Sequence, residues 1–331
     1  MFKKILLPLD GSPLAERAIA HAVEFARIFN SKILLLRVLE YEPSSEPMVH
    51  AEPLNWQLHR TKSEHYLHEV ARRIRSSLDF PEDDQSSDHE NRVSVNILEG
   101  KVAENIIDFA HQEDVDLLVI SSHGSSGLSR WNLNSIATKV INLIYKPILI
   151  VRGYPAEGNE PIQPRYERIL LPIDCSRRSE CSLSAGMAIA RHYQSKVFLA
   201  SVIKPPEISA IDPYDQELQS LNQQYMELSR KTVQRYMTEL SHRFEVENEV
   251  RILESASIFQ PIMKLSENEN VDLLIFCAHG HTGELSWPFG TVAQTFIEYS
   301  VKPVLVIQDL IRQDVPPKAA SQITDQSRSR D

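Results

Sequence analysis

The sequence is poor in glycine and cysteine. Ten glycines in 331 residues are about half of the roughly 7% usage typical of proteins. The three cysteines, Cys175, Cys181 and Cys277, form no CxxC pair and no metal-like cluster. A sparse, odd cysteine count favours a reducing compartment over a disulfide framework. We therefore expect neither a structural metal site nor a disulfide-stabilised fold.

Two further absences argue against nucleic-acid and membrane partners. The formal net charge of -10 is opposite to the basic surface that a nucleic-acid-binding protein needs. No apolar stretch approaches the roughly 20 residues that span a bilayer. The N-terminal apolar run is cut by Pro8 and Asp10 and lacks a cleavage site, so it predicts a first strand rather than a signal peptide. We expect a cytoplasmic protein.

What the chain does contain is an internal repeat. Phe2–Glu40 aligns without a gap with Tyr166–Lys204, and the segment from Asp116 aligns with the segment from Asp272. A period of about 160 residues indicates a domain duplication rather than a solenoid. We therefore predict a first domain at 1–152, a linker at 153–165, a second domain at 166–309 and a disordered tail at 310–331.

Apolar runs alternate with helical patterns in both repeats. Short, nearly continuous runs such as Lys4–Leu9 and Ile33–Leu39 are typical of strands buried on both faces. Pro13–Phe29 and the long segment Tyr214–Phe244 have the spacing of helices. We therefore predict an α/β protein with two tandem doubly wound domains, each a five-stranded parallel sheet with helices on both faces.

Half of the glycines lie in two equivalent loops after the fourth strand of each repeat. We expect the backbone there to take a positive φ or to approach something closely. Such a loop follows the carboxyl end of a strand, where open α/β sheets bind ligands, and it precedes a helix whose free N–H groups suit a phosphate. Tight turns without a ligand are the alternative. The five residues are Gly124, Gly127, Gly280, Gly283 and Gly290.

Three motifs resemble the universal stress protein family: the apolar-Pro-apolar-Asp end of the first strand, the His-Gly loop and the Lys-Pro-apolar last strand. The resemblance covers both repeats and implies a Rossmann-like fold similar to that of adenine nucleotide alpha hydrolases. ATP-binding members carry a glycine, two residues, a second glycine, nine residues, and a glycine followed by Ser or Thr. The aspartate that ends the first strand sits by the nucleotide, and the end of the second strand meets the adenine. The resemblance thus implies a stress-response protein that binds ATP, with magnesium as its partner ion.

The family pattern is more complete in the second repeat. A cysteine replaces the first glycine, where a side chain would crowd the ribose or the phosphates, while the other two glycines and the hydroxyl are present. The residues that the resemblance implies are Asp174, Val202, Cys277, Gly280, Gly290 and Thr291.

In the first repeat, Ser121 and Asn134 replace two of the three glycines. Asparagine tolerates left-handed backbone better than most residues. An alternative for the two first-strand aspartates is that they cap the following helix. The residues that the resemblance implies in this repeat are Asp10, Val38, Gly124, Asn134 and Ser135.

No catalytic residue and no metal ligand set can be assigned. The chain has no Walker A motif and no nucleophile elbow. His279 and His281 supply only two of the three or four protein ligands that zinc needs. Cys175 lies at a candidate helix start, where a thiol can be acidified and sense redox state, but we favour a packing role. We expect a regulator with at most slow ATP hydrolysis; a nucleotide-independent scaffold protein, or one that binds another small ligand, stays open.

The resemblance also implies an assembly through the last strands, because single-domain members often dimerise in that way. Ile148–Val151 and Val304–Ile307 are short and apolar, and an uncovered edge of that kind is a liability. We expect these strands to pair within one chain as a pseudo-dimer. A homodimer of chains and an unidentified protein partner are left open.

Overall fold

The computed structural model describes residues 1–40, 52–78, 92–122, 133, 135–152, 163–206, 215–281 and 287–310, with no side-chain description for 52–55. The chain divides into two compact units, and the division falls between Pro164 and Arg165. We call Met1–Pro164 the first repeat and Arg165–Asp309 the second repeat, and we describe each by itself. The predicted disordered tail beyond 310, and most of the predicted linker, lie outside the described residues.

The described part of the first repeat contains five strands and four helices. The helices are α1 Pro13–Phe29, α2 Glu52–Ser77, α3 Val102–Gln112 and α4 Ser135–Leu143. The strands are β1 Lys4–Pro8, β2 Lys32–Leu39, β3 Val93–Glu99, β4 Leu117–Ser121 and β5 Ile148–Val151.

The second repeat has the same succession of elements. Its helices are α5 Cys181–Tyr193, α6 Gln216–Ser241, α7 Phe259–Asn268 and α8 Thr291–Tyr299. Its strands are β6 Arg168–Pro172, β7 Lys196–Ile203, β8 Asn248–Glu254, β9 Leu273–Cys277 and β10 Val304–Ile307.

Both sheets have the same strand order and register. The order is β3-β2-β1-β4-β5 in the first repeat and β8-β7-β6-β9-β10 in the second, and the neighbouring strands within each are parallel. Ile5 pairs with Ile33 and Leu117; its counterpart Ile169 pairs in the same way with Val197 and Leu273. The predicted fold class, a doubly wound parallel sheet with helices on both faces, is confirmed.

The cores lie within these sheets, as the apolar runs predict. Every residue of β4, β5, β9 and β10 is buried, which parallel strands covered on both faces require. The order of strands reverses beside β1 in the first repeat and beside β6 in the second. In an open α/β sheet this switch point, at the carboxyl ends of the strands, is where ligands bind. Among the described residues no helix is long and apolar enough to cross a membrane.

Candidate functional site

In the second repeat, two loops meet at the switch point. The first, which we call the β6 loop, runs from Ile173 to Glu180 between β6 and α5. The second, the β9 loop, runs from Ala278 to Gly290 between β9 and α8, and its residues 282–286 lie outside the described part of the chain. Because β6 and β9 are hydrogen-bonded neighbours, both loops leave the same edge of the sheet.

Asp174 joins the two loops. Its Oδ1 accepts the Ser176 N–H at 2.9 Å within the β6 loop, and its Oδ2 accepts the His281 N–H of the β9 loop at 2.7 Å. Partial burial acts to raise the pKa of Asp174, but its hydrogen bonds, mainly from Ser176 and His281, hold that pKa below the usual value. The residue is exposed to solvent, so this carboxylate stays charged and accessible.

Gly280 is required by the position of Asp174. A Cβ on Gly280 would lie 2.1 Å from Asp174 Oδ2, a separation that no side chain allows. The glycine therefore permits the carboxylate to reach the β9 loop. We expected glycine in this loop either for a positive φ or for a close approach. At Gly280 the reason is a close approach.

Gly290 also serves a close approach rather than a positive φ. Its φ is -69°, so a left-handed backbone is the wrong explanation for this residue. Its N–H donates to the Ala278 carbonyl oxygen at 2.8 Å, and a Cβ would lie 3.2 Å from that same oxygen. The last residue of the β9 loop, Gly290, therefore lies against the first residue of the same loop, Ala278.

Among the described residues, no side chain caps the helix that follows. Gly290 is the N-cap of α8 and makes no side-chain cap bond, and Thr291, the first helical residue, is exposed. The first N–H groups of a helix have no partner within the helix and carry its positive dipole end. The predicted hydroxyl and the predicted phosphate-binding end of the helix therefore lie at the end of the β9 loop.

Cys277 and Val202 lie at the ends of neighbouring elements. Cys277 is the last residue of β9 and is buried, and its Sγ lies 2.6 Å from Sγ of Cys181, the first residue of α5. The predicted crowding side chain is thus packed against a helix. Val202 is half-buried near the end of β7, next to Ser201, whose Oγ lies 3.8 Å from Cys175 Sγ.

Cys175 does not have the acidified thiol that we considered. It lies in the β6 loop, six residues before α5 begins, and burial raises the pKa of its thiol. Its φ of 63° is left-handed, a conformation that costs a residue with a side chain roughly 1–2 kcal/mol. The interpretation of Cys175 as a low-pKa redox sensor at a helix start is therefore wrong.

His279 is held in the protein interior by two acceptors. Its Nδ1 lies 2.7 Å from Asp309 Oδ1 and its Nε2 lies 2.9 Å from the Trp287 carbonyl oxygen. The hydrogen bond to Asp309 raises the pKa of His279 above its ordinary value of 6.5, against the effect of burial. Both ring nitrogens are occupied by these acceptors, so His279 holds the β9 loop in place and has neither nitrogen left for a metal. Sequence reasoning missed Asp309; its place just after the last strand was the only available signal.

In the first repeat, the structure describes the loop after β1 (the β1 loop, from Leu9 to Ser12). Most of the loop between β4 and α4 lies outside the described residues. Asp10 Oδ1 accepts the Ser12 N–H at 2.9 Å, and Val38 is half-buried near the end of β2. Ser121 ends β4 and is buried, while Ser135 begins α4 and is exposed. The predicted residues Gly124 and Asn134 lie outside the described residues, as do Gly127 of this repeat and Gly283 of the second.

Arg37 is a feature of the first site that sequence reasoning missed. Its guanidinium lies over the Tyr66 ring, 5.4 Å from the centroid, and Nη1 would be 3.0 Å from a Cβ on Gly11. Gly11 has a φ of 81°. A glycine at this position therefore allows the left-handed backbone and also leaves space for the arginine. The arginine therefore crosses the loop that carries Asp10.

Neither aspartate caps a helix in the way that we considered. The N-cap of α1 is Ser12, whose Oγ accepts the Ala15 N–H at 3.2 Å. The equivalent Ser176 accepts the Ser179 N–H at 3.1 Å. Ser176, however, lies inside the β6 loop, and the N-cap of α5 is Glu180, which makes no side-chain cap bond. The capping alternative for Asp10 and Asp174 is therefore wrong, because Ser12 caps α1 and Asp174 lies too far from the start of α5 to cap it.

Comparison with known proteins places these features in one family. The profile of the universal stress protein family matches residues 1–152 and again 165–308. Universal stress protein MJ0531 of Methanocaldococcus jannaschii is 27% identical over 152 residues, which are 46% of this chain and 83% of that protein. Universal stress protein YxiE of Bacillus subtilis is 29% identical over 155 residues, which are 46% of this chain and 100% of that protein.

A solved structure shows the same fold over most of the chain. The universal stress protein from Archaeoglobus fulgidus is 16% identical and has a TM-score of 0.63, covering 93% of this chain and 98% of that one. The resemblance inferred from the motifs is confirmed by the double family match. The chain therefore belongs to the universal stress protein family and carries two such domains in tandem.

Proposed function

We propose that the second repeat binds an adenine nucleotide, ATP with magnesium, at the edge where the β6 and β9 loops meet, and that the protein acts as a stress-response regulator rather than a catalyst. The observation that carries this proposal is the Asp174 carboxylate. It is charged, exposed and fixed to both loops at the switch point of the sheet. The family pattern around it supplies Gly280, Gly290 and Thr291.

The end of the β9 loop supports the phosphate part of this ligand. The helix α8 has no side-chain cap among the described residues, and the backbone of a glycine N-cap lets an anion approach closely. The exposed Thr291 hydroxyl adds a donor at the same helix start. These groups would hold the phosphates without a lysine, which fits a chain that lacks a Walker A motif.

Magnesium fits the same edge through the ligand. Mg²⁺ is usually held by one or two carboxylates together with substrate phosphates and water. The described residues contain no cluster of three or more His, Cys, Asp or Glu that could hold a metal by itself, whereas Asp174 offers one charged carboxylate. Magnesium would therefore enter with the nucleotide. When bound, it would neutralise phosphate charge beside Asp174.

The Cys277 substitution is compatible with this proposal. Its sulfur lies against Cys181 on α5, so the side chain is accommodated by the helix. Val202, near the end of β7, keeps the position at which the family resemblance implies an adenine contact. In the first repeat, Ser121 and Asn134 replace two of the three family glycines, which supports the second repeat as the principal binding site.

A nucleotide-independent interaction protein is the second candidate, and the glycine contacts favour it. Gly280 accommodates Asp174, and Gly290 accommodates the Ala278 carbonyl oxygen. Both glycines are therefore accounted for by contacts within the protein. In this alternative the loops are structural turns, and the binding surface for a partner lies elsewhere.

Nucleotide release distinguishes the two candidates. The full chain is purified without added nucleotide and denatured, and the supernatant is chromatographed for ATP, ADP and AMP; stripped protein is then titrated with ATP and magnesium by calorimetry. The test variant is Gly290→Val, and the matched control is Asn134→Val at the equivalent position of the first repeat. We expect about one equivalent of nucleotide, lost in Gly290→Val and retained in Asn134→Val. No release and no binding at millimolar ATP would favour the interaction protein, and loss in the control alone would move the site to the first repeat.

A further inference from the structure

The second repeat holds a pair of thiols that the nucleotide proposal does not use. Cys181 begins α5 and Cys277 ends β9, and they are 96 positions apart in the sequence. Their Sγ atoms nevertheless lie 2.6 Å apart, and both residues are free cysteines. A disulfide bond is about 2.05 Å long, so only a small movement of the two side chains separates this contact from a bond.

We propose that Cys181 and Cys277 are a redox modification site, which forms a reversible disulfide when hydrogen peroxide oxidises the chain. The proposal does not depend on nucleotide binding. A sparse cysteine count argues against a structural disulfide framework, but transient, redox-sensing disulfides do occur in reducing compartments.

The chemistry needs the two thiols and one peroxide. One thiol, as its thiolate, attacks a peroxide oxygen; an S–O bond forms, the O–O bond breaks, and the departing hydroxide takes a proton to become water. The second sulfur then attacks the sulfenic acid, the S–S bond forms, and the S–O bond breaks to release a second water. Two thiols are oxidised by two electrons, and one peroxide is reduced to two waters.

The surroundings of the two cysteines allow this reaction and determine its rate. Cys181 is half-buried, whereas Cys277 is almost fully buried, so we expect a small oxidant such as hydrogen peroxide to reach the pair through Cys181. The hydrogen bond to Cys277, together with burial, raises the pKa of the Cys181 thiol. Because the thiolate is the reactive form, we expect oxidation to be slow at neutral pH and faster at alkaline pH.

The bond would restrain the candidate site. Cys181 follows the β6 loop directly, and Cys277 precedes the β9 loop directly, so a disulfide would tie the two loops that Asp174 already joins. A cross-link between such distant positions removes much freedom from the unfolded chain. We therefore expect oxidation to raise the melting temperature of the second repeat by at least about 5 °C.

The two repeats provide an internal comparison. The positions equivalent to Cys181 and Cys277 in the first repeat are Arg17 and Ser121. The site therefore belongs to the second repeat alone. Cys175, the remaining thiol, lies beside Ser201 rather than beside either member of the pair.

Peptide mapping of the oxidised full chain tests the proposal. Reduced protein is treated with hydrogen peroxide at pH 8, denatured, alkylated, and digested with trypsin without reductant. Trypsin separates Cys175 from Cys181, because Arg177 and Arg178 lie between them. We expect a cross-linked peptide that contains Cys181 and Cys277, an intact mass lower by two hydrogen atoms, and recovery of all three thiols after dithiothreitol.

Variants and alternative products make the test decisive. Cys175→Ser should still form the cross-link, and Cys181→Ser should lose both the cross-link and the rise in melting temperature. The mapping of the wild-type chain stands even where a cysteine variant folds poorly. The proposal is overturned if peroxide leaves all thiols reactive, produces only sulfinic acids, or gives disulfides between chains or through Cys175.

Discussion

The loops after the first strand of the two repeats have the same turn but different neighbours. In both, an aspartate Oδ1 accepts the N–H of a serine two residues later at 2.9 Å. That serine, Ser12 or Ser176, then accepts the N–H three residues further along. Local Asp-x-Ser chemistry is therefore enough to build the turn.

The residue between the aspartate and the serine shows what differs. Both Gly11 and Cys175 have a left-handed φ, of 81° and 63° respectively. Gly11 makes room for the long Arg37 side chain, whereas Cys175 faces the small Ser201. The turn is thus a local property, while the groups that surround the aspartate depend on the neighbouring strand.

The largest expected effect comes from filling the space beside Asp174. In Gly280→Ala the new Cβ would lie 2.1 Å from Asp174 Oδ2, so the carboxylate or the loop must move. Moving the carboxylate weakens the hydrogen bonds that it accepts from Ser176 and His281. Hydrogen bonds to charged groups contribute about 1.5–3 kcal/mol, so we expect the unfolding free energy of the second repeat to fall by about 2 kcal/mol. Calorimetric melting of the full chain, with hydrogen exchange to identify the repeat that is affected, measures this change.

A double-mutant cycle identifies the cause of that loss. If the Asp174 carboxylate is the group that Gly280→Ala displaces, the substitution should cost much less in an Asp174→Ala background. We expect a coupling of about 1 kcal/mol, because residues in contact are not additive. Additive effects of the two substitutions would mean that Gly280 is constrained by something other than Asp174.

Asp174→Asn sharpens the comparison between the two aspartates. An asparagine keeps one acceptor oxygen but loses the charge and one of the two acceptors that join Ser176 and His281. Because charge-assisted hydrogen bonds are the stronger ones, we expect ATP affinity to fall about tenfold, or roughly 1.4 kcal/mol. Calorimetric titration with ATP and magnesium gives the affinity.

Asp10→Asn is the matched control in the first repeat. We expect little change in affinity, because the proposed site lies in the second repeat. An equal loss in both variants would show that the two repeats bind nucleotide alike. A loss in Asp10→Asn alone would reverse the assignment.

A smaller effect is expected from exchanging the residues at the left-handed position. Gly11→Ala introduces left-handed strain and a Cβ 3.0 Å from Arg37 Nη1, so we expect a loss of about 1 kcal/mol in unfolding free energy. Cys175→Gly removes the strain but adds freedom to the unfolded chain, so its net gain should be only about 0.5 kcal/mol. Chemical denaturation monitored by hydrogen exchange measures both.

A double variant separates the contribution of Arg37 to the cost of Gly11→Ala from that of the backbone strain. Gly11→Ala combined with Arg37→Ser reproduces the small neighbour that Cys175 has in the second repeat. If the arginine contributes to the cost, this combination should be less destabilised than the sum of the single variants. No difference would assign the whole cost to the backbone.

The fold could be predicted from the sequence because it depends on local patterns of apolar residues and on the internal repeat. Apolar runs such as Lys4–Leu9 and Ile33–Leu39 predicted strands close to those observed, and the aligned segments placed equivalent strands at equivalent positions. Asp174 and Gly280 could be singled out from the sequence because they belong to a motif, and the structure brings them together; that they bind a nucleotide stays a prediction. Contacts between residues distant in sequence, such as Cys181 with Cys277, had no such signal.

The glycines show the same limit. Their concentration in two loops indicated a special backbone, but the sequence could not say whether φ or space was the reason. At Gly290 the reason for glycine is the lack of space for a side chain, because its φ of -69° is not left-handed. The partner that takes up this space is a carbonyl oxygen of the same loop, which no side-chain pattern reveals.

The smallest effect that we expect is a pH dependence confined to the second repeat. His279 pairs with Asp309, whereas the position equivalent to Asp309 in the first repeat is Gly153. The pKa of His279 is raised in the folded state, chiefly by the hydrogen bond to Asp309. The protonated ring can donate to both Asp309 and the Trp287 carbonyl oxygen, and a neutral ring to only one of them.

The sign of the effect follows from linkage. A raised folded-state pKa means that the folded protein holds the proton more tightly, so the pair stabilises it fully below the unfolded pKa of 6.5 and loses this contribution as pH rises through the folded pKa. We therefore expect Asp309→Asn to lower the melting temperature more at pH 6 than at pH 9. Equal losses at the two pH values would show that Asp309 acts on His279 through packing alone. A greater loss at pH 9 would mean that the folded protein holds a neutral His279, contrary to the two acceptors that surround the ring.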